Sequence, residues 1–232
     1  CPSSCTITSP VGLSAFSWNI RRLPVDDFVS LHEALRESTV RLGVLQWDVL
    51  CLQEPGCLQV PSSCHMLKST RNKGWGAAIV LTSEFVSRIC FEKIDVNWVM
   101  CVLDFADLGY APLAIISAHM PPNTNNDMSD SAYDEILTDI ADSLQTARGA
   151  FPQLRIFEAV DANVDLPACG DSWTDANVII GELCESIPSH RAGMFIDHLG
   201  SHGLLACNTF PDDSKTDPSN ACTFTNAMGE NR

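Results

Sequence analysis

The chain has 232 residues, 45% of them hydrophobic, with a mean hydropathy of +0.05. It can therefore bury a sizeable core, and its composition is not that of a disordered segment. Its 14 Lys and Arg face 29 Asp and Glu, a net charge of −15. That balance argues against the broad basic surface that ordinarily supplies non-specific nucleic-acid affinity, although part of an acidic excess can serve as metal-binding carboxylates.

No apolar run approaches the roughly 20 residues of a membrane span, so no membrane partner is expected. No basic stretch followed by an apolar one marks a signal peptide. With Cys1 opening the chain in place of Met, this predicts an intracellular protein, nuclear or cytoplasmic, cut from a longer polypeptide with further domains. Eleven cysteines make an odd count. Cys51, Cys90, Cys101 and Cys207 fall in apolar runs, as small buried hydrophobes of a reducing compartment do. Their spacings fit no zinc template, and disulfides are the alternative.

In chain order, residues 1–12 read as a Ser/Thr/Pro-rich leader or linker. A strand follows over 13–20, with Ala15, Ser17 and Asn19 alternating against Phe16 and Trp18. Asp26 or Asp27 caps a predicted helix carrying Phe28, Leu31, Leu35 and Leu42. Residues 48–53 form an apolar strand covered on both faces, and 56–72 read as irregular. Four strands are predicted in succession over 75–81, 87–94, 97–105 and 112–119, paired as antiparallel hairpins. A polar loop, 121–130, leads to a helix over 131–148 whose stripe is Tyr133, Ile136, Leu137, Ile140, Ala141 and Leu144. A strand over 154–160, a polar loop over 163–177, a helix over 190–201 and short strands over 204–208 and 221–225 complete the pattern. The alternation predicts one α/β domain over 13–232, with mixed sheets, helices packed outside and no internal boundary.

Chemistry gathers where these strands end. Glu54 closes an apolar strand, where a carboxylate is costly unless paired or metal-bound. Asp161 and Asn163 lie two apart and share a side if the strand persists. A carboxylate there can accept a proton from water while the amide donates to a phosphoryl oxygen. Asn19 ends the first strand, with Arg21 beside it to meet a phosphate. His119 ends another strand, with Asn123 after it. Taken singly, each also fits a turn residue or a solvated side chain. Asp197-His198 reads as solvated helix surface.

The set is more specific than its parts. SWNIRRL, DVLCLQE, ISAHMPPN and IFEAVDANVDL resemble, in order, the Asn, Gln-Glu, Tyr/His and Gly-Asp-Phe-Asn motifs of the endonuclease/exonuclease/phosphatase superfamily. SHGLLACNTF followed by CTFTN is most similar to the endonuclease domains of non-LTR retrotransposons. The resemblance runs from about residue 13 to 226. It implies a deoxyribonuclease-like four-layer fold of mixed sheets sandwiched between helices, and a Mg²⁺- or Mn²⁺-dependent phosphodiesterase with DNA as substrate. Glu54 would be the metal ligand, and Asp161, Asn163, His119 and Asn19 the catalytic residues. Asn123 and Arg21 would bind substrate. The family's Gly and Phe are replaced by Val160 and Ala162, and its Trp by Phe224. Its final Asp strand and Ser-Asp-His motif have no counterpart up to Arg232, so the C-terminal strands are expected to be missing, either cut away or lost, and the fragment weak or inactive. Two alternatives share these residues. One is a phosphatase or inositol-phosphate/phospholipid phosphodiesterase of the same fold. The other is a degenerate, non-catalytic interaction domain.

Overall fold

The computed structural model describes residues 13–20, 47–71, 76–123, 127–166, 189–204 and 206. The calls for a leader over 1–12, a helix from Asp26 or Asp27, and a strand over 221–225 lie outside them, as does Arg21. The described residues fall into two compact units. The larger takes in those of 2–120 and 142–161, and the second those of 121–141 and 162–206.

The larger unit holds the eight strands found among the described residues, in two mixed four-stranded sheets. One sheet has the order β1 (Ala15–Asn19), β2 (Val49–Gln53), β4 (Ala77–Thr82), β3 (Cys64–Lys68). The other runs β5 (Ile89–Ile94), β6 (Trp98–Leu103), β7 (Leu113–His119), β8 (Arg155–Asp161). Alternation along the strands assigns their faces. Ala15, Val49, Cys51, Ile79 and Leu81 from the first sheet share one core with Val99, Cys101, Leu103, Ile115, Phe157 and Ala159 from the second. The sheets thus pack face to face as a sandwich. Phe16, Leu50, Leu52, Ala78 and Val80, on the other face of the first sheet, are buried in a separate cluster with Trp47 and Leu58. This explains why β2 is apolar at consecutive positions.

Among the described residues three α-helices accompany the strands: α1 (Ser83–Val86), α2 (Asp127–Ala150) and α3 (Ala192–His202). The buried stripe of α2 holds the expected Tyr133, Ile136, Leu137, Ile140 and Leu144 together with Ala147, whereas Ala141, expected in the stripe, is half-buried at its edge. Its first turn reaches back into the segment read as a polar loop.

Three expectations are corrected. The segment 56–72 contains β3, an edge strand paired with β4. β4 does not form a hairpin with β5; it pairs with β2 and β3, and α1 turns the chain toward the other sheet. The antiparallel pairs β5–β6 and β6–β7 do form. Cys90 is exposed at the register irregularity of β5, between Ile89 and Phe91, whereas Cys51 and Cys101 are buried. Burial raises both of those thiols, Cys101 to about 12 with help from Glu92 and Cys90.

Candidate metal centre

Two parallel pairs determine where the chemistry falls. β1 and β2 run parallel with Asn19 opposite Gln53, and β7 and β8 run parallel with His119 opposite Asp161. Asn19, Gln53, His119 and Asp161 all carry the parity of the residues that face into the sandwich. They are the last residues of their strands, so their side chains gather at one end of it.

Glu54 has the opposite parity, and continued alternation would turn it away. It sits instead in the left-handed region, with φ 54, an uncommon conformation for a residue with a Cβ. Its N–H donates to the carbonyl of Gly76 at 2.9 Å. Gly76, at φ 102, leaves no room for a Cβ against Ser69 Oγ. The kink brings Glu54 Oε1 to 3.6 Å from His119 Nε2, which is 3.8 Å from Asp161 Oδ2. Asn19 Nδ2 donates to Asp161 Oδ2 and lies 3.5 Å from Glu54 Oε1. His119 is buried, and Glu54 and Asp161 are partly exposed.

The ligand atoms of Glu54, His119 and Asp161 lie within 4.8 Å of one another. Two carboxylates and an imidazole at that spacing can hold a divalent cation. The donor set, dominated by hard oxygens, suits Mg²⁺ or Mn²⁺. Without a counter-charge the two carboxylates repel each other.

Asn123 and Asn163 are half-buried residues of the second unit. β8 ends at Asp161 and Asn163 has φ 48. The strand therefore does not persist, and the expected sharing of one side by Asp161 and Asn163 does not follow from alternation. His198 is buried beside exposed Asp197, a correction to the reading of that pair as solvated. Successive helix residues are about 100° apart, and here one faces inward with Phe195 and Leu199.

The motifs did not reveal two features. Gln53 and Ser117 form a buried polar link beneath the cluster; the signal was Ser117, a hydroxyl within the apolar LAIISAH of β7. In the second unit, fully buried Arg191 donates to Asp130 Oδ1 at 2.7 Å and to the Pro121 carbonyl at 2.8 Å, and lies over the Tyr133 ring. Arg191 first, and then His190, hold the Asp130 carboxyl below its usual range.

No family model matches the sequence, and neither does any curated protein. Among solved structures, the chain is similar to the endonuclease domain of TRAS1, a telomere-specific non-LTR retrotransposon. The TM-score is 0.49 at 16% identity, covering 82% of this chain and 70% of that one. It is similar also to TDP2 from C. elegans, with TM-score 0.43 at 14% identity over 64% of this chain and 47% of that one. For truncated Caenorhabditis elegans TDP2 the TM-score is 0.41 at 14% identity, over 64% and 61%. The chain thus spans about half the length of the first TDP2 structure.

Proposed function

We propose that this chain is a divalent-metal-dependent phosphodiesterase that nicks DNA, as part of a retrotransposon-type polyprotein. The observation that carries the proposal is the convergence of Glu54, His119 and Asp161 within 4.8 Å, with Asn19 hydrogen-bonded to Asp161. Glu54 would be the principal ligand for Mg²⁺ or Mn²⁺, with Asp161 beside it, and His119 Nε2 would face the bound substrate. A bound cation supplies charge neutralisation at a phosphoryl oxygen and a more acidic water.

The chain's own residues do the rest. Asp161 accepts the proton of the attacking water, a general-base role. Asn19 donates to Asp161 Oδ2 and so orients that carboxylate. His119 donates to a phosphate oxygen, and Asn163 steadies the same group. Asn123 and Arg21 bind the substrate strand.

The test is Mg²⁺-dependent nicking of supercoiled DNA by the full chain, beside Glu54→Gln and Asp161→Asn. Asp161→Asn should lose roughly 10²–10⁴-fold of the rate, the usual worth of a general base, and Glu54→Gln should lose the Mg²⁺ dependence along with the activity. Nicking that persists undiminished in both variants overturns the assignment.

A second reading rests on the charge of −15, which favours a compact phosphoester over a long polyanion. In that case the wild type hydrolyses an inositol phosphate or phospholipid headgroup and leaves plasmid intact.

A further inference from the structure

Beneath the metal-binding cluster lies a polar link that the proposed reaction does not use. Gln53 is 2% exposed and Ser117 is 0% exposed. In an apolar interior an amide and a hydroxyl are costly unless their hydrogen bonds are made. Here the bonds are made between the sheets. Gln53 Nε2 donates to Ser117 Oγ at 3.2 Å and to the Ala159 carbonyl at 3.2 Å. Ser117 Oγ donates back to the Leu52 carbonyl at 3.3 Å. Ser17 Oγ lies at 3.5 Å from Gln53 Oε1, to which it donates. One amide therefore ties together β1, β2, β7 and β8.

The placement of this link relative to the cluster is regular. Ser17 is two residues before Asn19, and Gln53 immediately precedes Glu54. Ser117 is two before His119, and Ala159 two before Asp161. Residues two apart on a strand share a face and are separated by about 6.5 Å. Ser17, Ser117 and Ala159 thus lie one layer below the cluster on the same inward faces, and the Gln53 amide, level with Asn19 in the sheet, reaches down to them. Apolar side chains could fill this space, but dispersion contacts are non-directional and would not fix how far one sheet slides over the other.

We propose that Gln53 and Ser117 are positioning residues for the metal centre. Their inter-sheet hydrogen bonds set the spacing between Asn19 and Glu54 on one sheet and His119 and Asp161 on the other, and thereby set the affinity for a divalent cation. This inference rests on the metal centre of the proposed function.

The test is Mn²⁺ titration of the full chain, with free Mn²⁺ followed by its paramagnetic resonance and folding followed by thermal denaturation. Gln53→Met keeps the side chain's length and removes its hydrogen bonds. Ser117→Ala removes a single oxygen and serves should the first variant fail to fold. Gln53→Met should weaken Mn²⁺ binding about 10- to 100-fold, the range for groups that orient metal ligands. Ser117→Ala should weaken it in the same direction, and the double variant should bind no more weakly than Gln53→Met alone, because the two changes break one link. Leu81→Val, a core change at the opposite end of the first sheet, should lower the melting temperature and leave Mn²⁺ affinity within two-fold.

Wild-type affinity in both Gln53→Met and Ser117→Ala overturns the inference and leaves the metal centre standing. A comparable loss of affinity in Leu81→Val overturns it too, since destabilisation alone would then explain the effect. A wild type that takes up no Mn²⁺ removes the metal centre and the inference together.

Discussion

Glu54→Gln should make the cation-free protein more stable while abolishing its response to metal. The ligand oxygens of Glu54 and Asp161 lie within 4.8 Å. Two unit charges at that separation repel by about 3.5 kcal/mol at an effective dielectric of about 20. Their side chains are 16% and 23% exposed, and the Asn19 amide offsets part of the repulsion. About 1 kcal/mol is therefore the expected gain once solvent screening is allowed for. In a chain of this size that corresponds to a melting temperature raised by about 2–4 °C in EDTA. Cation binding reverses the order: at a concentration 100-fold above Kd the wild type gains about 2.7 kcal/mol, and the variant gains little. Thermal denaturation in EDTA and again in excess Mg²⁺ measures both effects. A variant that melts at or below the wild type in EDTA, and is shifted equally by Mg²⁺, refutes the reasoning.

Three further outcomes follow from the burial and charge of particular groups. Burial, and secondarily Glu84, raises Asp48 above its ordinary 3.8, against a hydrogen bond from the Ser14 N–H. An acid raised on folding contributes stability below its unfolded value and loses it as pH rises through the folded one. Asp48→Asn should therefore melt higher than wild type at pH 7, with the advantage gone below about pH 4. Asp130 is lowered by Arg191 and His190, so its contribution is present above its unfolded value and lost as pH falls through the folded one. Asp130→Asn should melt lower at pH 7, with the deficit shrinking below about pH 4; a deficit constant with pH would remove the ion-pair explanation. Finally, iodoacetamide at pH 8 should modify exposed Cys57 and Cys90 in the native chain and spare buried Cys51 and Cys101 until unfolding, read by peptide mass mapping. Native-state labelling of Cys101 would contradict its raised thiol.

What the sequence conveyed, and what it did not, divides along local and non-local physics. Alternation separated Ala15, Ser17 and Asn19 from Phe16 and Trp18, and the two sets enter different surroundings. The helical period located the buried stripe of α2. β3 escaped because CHMLK lies at a sheet edge, largely half-buried; its identity as a strand comes from pairing with β4, and strand preference depends on such neighbours. The expected β4–β5 hairpin failed for a related reason, since the hairpin rule is local and cannot weigh β2 as a competing partner for β4.

Glu54 is the instructive case at the site itself. Its residue type and place at a strand end marked it as a metal ligand, yet the period-two rule that aims Asn19, His119 and Asp161 inward aims Glu54 outward. A backbone turn at φ 54 brings it back toward the cluster, and the segment that accepts its N–H begins at Gly76, more than twenty residues away. Holding a side-chain-bearing residue in that region costs about 1–2 kcal/mol. It persists only where surrounding contacts impose it, as happens at functional sites. The same kink separates two effects of substitution. Glu54→Gly relieves the backbone and removes the carboxylate, whereas Glu54→Gln removes the charge and keeps the kink. Both variants should lose the Mg²⁺ response. The difference between their melting temperatures in EDTA then reports the strain, set against the side-chain contacts that glycine lacks and the extra chain entropy it loses on folding, about 0.5–1 kcal/mol. A glycine variant that melts well below the glutamine variant would show that the turn is not strained, and that the approach of Glu54 to His119 needs no backbone explanation.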